Sequence, residues 1–151
     1  MTSARVGAAL LLVTLLWSGV PASADDTADA LAFFKEYVAR SDRLDPGLAD
    51  LYADDAAIRS KRIMPDGRTQ TLSFSGAQWK ALIKQAMPLA QQRGDRNTFR
   101  TVSAKPDGNS VVITAERYAH LKSYSSPFAL LVTKDPTGAW KISAELTETR
   151  P

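Results

Sequence analysis

The sequence predicts an α+β domain in which helices come first and pack on one face of an antiparallel sheet. Three observations carry this. Apolar residues recur at 3.6 spacing near the start of the folded part. From Asn97 onward the pattern alternates with period 2 between turn signals. A hairpin signal separates two helical stretches.

Thr27 to Ser41 reads as an amphipathic helix, with Leu31, Phe33, Phe34, Tyr37 and Val38 on one stripe and Lys35, Glu36 and Arg40 facing water. Asp45-Pro46 restarts a short helix, Asp45 as N-cap and Pro46 at its first position, carrying Leu48 and Leu51 to Tyr52. Ala56 to Met64 alternates as a strand, Pro65-Asp66-Gly67 turns, and Thr69 to Phe74 returns. Ser75 and Gln78 form a capping box, opening a helix with Trp79, Leu82, Ile83, Ala86 and Met87 on one side. Pro88 is expected to kink or end it. Four strands follow: Asn97 to Lys105, Ser110 to Lys122, Phe128 to Lys134 and Ala139 to Thr147. Ser125-Ser126-Pro127 is expected to interrupt before the third, and turns at 106–109 and 135–138 separate the others.

Ahead of this lies the order of a secretory leader. Arg5 precedes an apolar run from Val6 to Trp17, and Ala22-Ser23-Ala24 offers small residues for cleavage. The run is shorter than the roughly 20 residues a membrane span requires. Residues 1–24 are therefore expected to be a cleavable signal peptide, leaving a soluble domain over 25–151 in the periplasm or outside the cell, without a stable membrane anchor. The chain has no Cys, which suits an oxidising compartment and excludes thiol catalysis and thiolate metal sites. Nineteen basic and sixteen acidic residues give a formal net charge of +3 without a run of like charges. Arg59, Lys61, Arg62 and Arg68 gather on the hairpin, where a solvated strand face accounts for them. No nucleic-acid partner is expected. One histidine and no acid-rich loop leave no metal site, and no phosphate-binding glycine loop or Gly-x-Ser-x-Gly motif is present. No cofactor is expected.

The helix FFKEYVARSD, the segment Leu51 to Ile58 (LYADDAAI) and the closing Gly138-Ala139-Trp140-Lys141-Ile142 together resemble the nuclear transport factor 2-like superfamily, also called SnoaL-like or cystatin-like. The resemblance spans the whole mature chain. It implies a curved antiparallel sheet wrapped around the N-terminal helices as a cone with a pocket at its open end. It leaves activity open, because the superfamily holds isomerases, dehydratases and hydrolases beside non-catalytic binding domains. In the ketosteroid-isomerase branch the chemistry uses a carboxylate base, a tyrosine and a second acid. Similarity places these at Ser60, Tyr37 and Leu130. Only the tyrosine is of the right type, so no catalytic residue is assigned.

The expected pocket lining is Phe33, Tyr37, Ile58, Ser60, Trp79, Ile83, Phe99, Phe128, Leu130 and Trp140, with Arg62 as a further polar handle. It suits a small apolar ligand, and a core filled by these same side chains accounts for them equally. Tyr118 and His120 share one side of their strand with Glu116. With Glu145 they make an acid–base set if they face the cavity; otherwise they lie on an exposed or dimer face. The opposite side, Val111, Ile113, Ala115, Arg117, Ala119 and Leu121, is the more core-like. Two functions follow. One is an exported non-catalytic domain that binds a small apolar ligand or a protein partner, with a homodimer through the outer sheet face. The other is an enzyme of the same fold, and the inward side of strand 110–122 discriminates between them.

Overall fold

A computed structural model describes residues 21–151. Most of the expected signal peptide, including Arg5 and the apolar run, lies outside the described residues. The elements are α1 (Ala24–Asp42), a 3-10 turn (Pro46–Leu51), β1 (Tyr52–Ile63), β2 (Thr69–Ser75), α2 (Gly76–Arg93), β3 (Asn97–Asp107), β4 (Ser110–Ala119), β5 (Tyr124–Lys134) and β6 (Trp140–Thr149). The six strands form one curved, unclosed sheet in the order β2-β1-β6-β5-β4-β3. All neighbours are antiparallel except β1 and β6, the first and last strands, which run parallel.

Helix α1 starts three residues earlier than its apolar stripe suggests. Ser23 caps it: its hydroxyl accepts from the Asp26 N–H, and Asp26 accepts from the Ser23 N–H at 2.9 Å. Lys134 holds Asp26 from the sheet at 2.5 Å. The expected cleavage after Ala24 therefore falls inside the first turn of this helix. Asp45 caps the 3-10 turn as its sequence indicates.

Helix α2 opens on the expected Ser75/Gln78 box, but Pro88 does not end it. The ring faces solvent, so only one backbone hydrogen bond is lost. The helix stops at Gly94, whose φ of 65° suits a glycine cap. Of its expected apolar side only Ile83 is fully buried. Leu82 and Ala86 face water.

Ser125-Ser126-Pro127 also fails to interrupt. Strand β5 runs through it from Tyr124. It pairs with β6 only from Phe128 onward, so Pro127 sits where β5 has one free side, a position a strand gives to proline. Strand β4 ends at Ala119 rather than Lys122, because the chain turns back through Ser123 in a left-handed conformation.

The core lies between the sheet and the helices. Phe34, Tyr52, Ile58, Val111, Ile113, Leu130, Val132 and Ile142 are its largest fully buried side chains. One irregularity shapes both faces of the sheet. Ile142 pairs with Val132 but Ala144 pairs with Leu131, so Ser143 is an extra residue in β6. Its hydroxyl donates to the Leu131 carbonyl at 3.1 Å. A bulge of one residue exchanges the two faces beyond it. Glu145 and Thr147 turn inward as a result, and Ala144 and Leu146 turn outward.

Candidate functional site

Inside the cone, the rings fill the space next to α1. Phe34 stacks on Tyr37 at 5.7 Å, and Phe128 lies 5.0 Å from Phe99 and 5.8 Å from Tyr37. Below them the inward sides of β4, β5 and β6 contribute Val111, Ile113, Leu130, Val132 and Ile142. The apolar part of the expected lining is thus packed against itself.

The other inward part is polar. The row Ile58–Glu145–Leu130–Ile113 crosses β1, β6, β5 and β4, and the next row is Ser60–Thr147–Phe128–Ala115. Glu145 is only 5 % exposed. It accepts a short hydrogen bond from the Tyr52 hydroxyl. Removal from water pushes its carboxyl up to about 7, against the pull of the Tyr52 bond and the Arg117 charge. The same burial, and then the Glu145 charge, hold the Tyr52 and Tyr37 hydroxyls well above their ordinary range, so both stay protonated. Arg117 reaches across this pole from β4 and donates to the Glu148 carbonyl at 2.6 Å. The Arg117 Nε and the Thr147 Oγ1 are buried without a hydrogen-bond partner among the described residues. Chemically, Glu145 can take or give a proton near neutrality, with two tyrosine donors beside it and one positive charge.

Several sequence-derived candidates lie elsewhere. Strand β4 directs Val111, Ile113, Ala115 and Arg117 inward. Tyr118 and His120 therefore stand on the outer face, edge to face at 4.9 Å, and His120 is exposed. The proposed Tyr118–His120–Glu145 set is not assembled, because Glu145 is on the opposite side of the sheet. Arg62, near the end of β1 and paired with Gln70 and Thr149, is exposed. Trp140 and Phe33 share a groove with Leu51, and Lys134 sits 5.0 Å over the Trp140 ring. Ile58, Ser60, Leu130, Phe128, Tyr37, Phe99 and Ile83 do lie inside, and Trp79 packs against the core edge beside Phe74.

The residues missed as a set are Tyr52, Glu145, Thr147 and Arg117. Arg117 was visible as the one charge on an apolar strand side. Tyr52 reads as a helix end until β1 is seen to begin on it. Glu145 was singled out only with Tyr118 and His120; that it and Thr147 turn inward has no readable signal, since period 2 counted from Ile142 directs them outward.

The outer face carries what the bulge displaced. Ala57, Ala144, Leu131 and Val112 form one cross-strand row, and Leu146 and Ala129 lie in the next, between Arg59 and Thr114. A sheet with one solvated face alternates apolar-in and polar-out. Here four neighbouring strands present apolar groups outward, and Leu146 is 56 % exposed. Hollows of about 340 and 270 Å³ lie along these rows. The rim is charged, with Arg59 and Lys61 on the β1 side, Glu148 3.8 Å from Lys61, and Glu116 bonded to Arg100 on the β4 side.

No family model matches the chain, and no curated protein does. Solved structures do match. A nuclear transport factor 2-like protein of unknown function from Pseudomonas putida KT2440 is 14% identical, with a TM-score of 0.64 over 82% of this chain and 86% of that one. Another from Shewanella oneidensis MR-1 is 18% identical, with a TM-score of 0.60 over 82% and 98%. A structure from Catenulispora acidiphila in complex with S-DNPA is 12% identical, with a TM-score of 0.54 over 82% and 92%. The fold of this chain is the nuclear transport factor 2-like cone that its sequence resembles.

Proposed function

We propose that this chain, a nuclear transport factor 2-like cone, is an exported binding domain that works by contact rather than by catalysis, and that the outer face of its sheet pairs with a second copy. The observation that carries this is the reversal along β6. Exposing a leucine forgoes about 1.5–3 kcal/mol of burial, yet the bulge turns Leu146 outward among Ala57, Val112, Ala129, Leu131 and Ala144. An apolar centre with a charged rim is the anatomy of a protein interface. A two-fold axis along the strands would bring the basic β1 side of one copy against Glu116 of the other, so the patch complements itself. Sedimentation of residues 25–151 is expected to give a dimer, and Leu146→Asp to weaken it at least about tenfold with unchanged folding. A monomer at high concentration, or a dimer indifferent to Leu146→Asp, would overturn the pairing.

Export rests on the leader alone. Intact-mass measurement of the periplasmic protein is expected to find a chain starting at Asp25. An uncleaved chain retained in the cytoplasm would contradict it.

A second reading is favoured by the buried polar pole. Glu145, Tyr52, Tyr37 and Arg117 suit a small ligand held at the open end of the cone. The Catenulispora acidiphila neighbour, solved in complex with S-DNPA, is consistent with that use of the fold. The acid–base poise of Glu145 is what an enzyme of this fold would exploit, which makes proton transfer in the cone the alternative to simple binding.

A further inference from the structure

We propose that the polar pole of the cone holds the carboxylate of a small ligand, bound between the Arg117 Nε and the Thr147 hydroxyl. This goes beyond the pairing of outer faces and rests on the reading of the cone as a ligand site, to which it gives a ligand class.

Three observations converge on this position. First, the Arg117 guanidinium is fixed by neutral partners only. One terminal nitrogen donates to the Glu148 carbonyl at 2.6 Å, the Tyr124 hydroxyl at 3.2 Å and the Ser126 hydroxyl at 3.3 Å. None of the ion pairs among the described residues includes Arg117. The Arg117 side chain is half-buried, and a guanidinium withdrawn from water ordinarily has an anion to match it. Second, its Nε is buried and has no acceptor. Third, the Thr147 hydroxyl is also buried without a partner, on a side chain that is 4 % exposed.

The two unpaired groups belong to one patch. Arg117 reaches the carbonyl of Glu148, the residue after Thr147. Thr147 pairs with Phe128, which pairs on its other side with Ala115, the inward neighbour of Arg117. Two unpaired donors in neighbouring rows, one of them charged, match in number and type the two oxygens of a planar carboxylate. Ser60 stands across from Thr147 on β1 as a further hydroxyl. Glu145 is one row deeper and engaged by Tyr52, and although the Arg117 charge pulls its carboxyl down, the two form no ion pair.

The test uses ¹⁵N-labelled residues 25–151 in chloride-free buffer, titrated with benzoate and with its neutral isostere benzamide. Benzoate is expected to shift the Arg117 Nε–H resonance saturably while benzamide does not. Thr147→Val is expected to weaken the benzoate response at least about tenfold. If both compounds shift the Tyr37 and Phe128 resonances alike and Thr147→Val changes nothing, the cone takes a neutral ligand; the carboxylate assignment falls and the cone reading survives. If neither compound perturbs any inward residue, both fall, and the two unpaired groups share a buried water instead.

Discussion

Replacing Glu145 by glutamine is expected to stabilise the protein by about 3 kcal/mol near pH 8 and to remove most of the pH dependence of stability between about 4.5 and 7. The carboxyl titrates at about 7 in the folded chain against an ordinary value of 4.5, because burial penalises its charged form. The folded state therefore binds the proton more tightly than the unfolded state does. The stability from that proton is complete below about 4.5, declines as pH rises toward 7, and is gone above it. Glutamine keeps an acceptor for the Tyr52 hydroxyl without the charge. The carboxylates held below their ordinary range, Asp26, Asp54, Asp66 and Asp135, act in the opposite sense but only below their usual value of 3.8, so the two windows do not overlap. Urea denaturation across this range measures both slopes. A wild type equally stable at pH 5 and pH 8 would mean that Glu145 is solvated or has a partner in solution.

Gly76→Ala is expected to cost about 3 kcal/mol or more, through overpacking at the join of α2 and β1. A Cβ on Gly76 would lie 1.8 Å from the Ala53 carbonyl oxygen and 3.0 Å from the Ala56 Cβ. The obstacle is backbone in the strand that also carries Tyr52, Ile58 and Ser60, so it cannot swing aside as a side chain would. Backbone conformation plays no part, since Gly76 lies in the first turn of a helix, where alanine is otherwise preferred. Thermal or chemical denaturation decides it. A loss below about 1 kcal/mol would mean that α2 sits farther from β1 than its packing here.

Much of this architecture was legible in the sequence, because local signals and packing agree along most of the chain. Asp45, Ser75 and the 3.6-spaced stripe of α1 each do what their type and spacing imply. The inward side of β4 was also legible, from Val111, Ile113 and Ala115. The candidate sites were less so, and for a physical reason. Both depend on the extra residue at Ser143, and a bulge leaves no mark in a period-2 pattern. Without it, Ala144 and Leu146 would fill the core and Glu145 would meet water, an arrangement that burial alone favours. The chain instead places a carboxylate inside and a leucine outside. Departures from local rules of this kind are where function is sought. Pro88 and Pro127 illustrate the opposite case, strong local signals overridden because a solvent-facing ring and a free strand side remove most of proline's cost.

Isotope-filtered NMR on a mixture of labelled and unlabelled residues 25–151 tests the central claim most directly. If the outer sheet face is the working surface, intermolecular contacts will appear from the methyl groups of Leu146, Leu131 and Val112 to those of the partner copy, with none from Phe34 or Phe128. Intermolecular contacts confined to α1 or α2, or none from these methyls at any concentration, would contradict it.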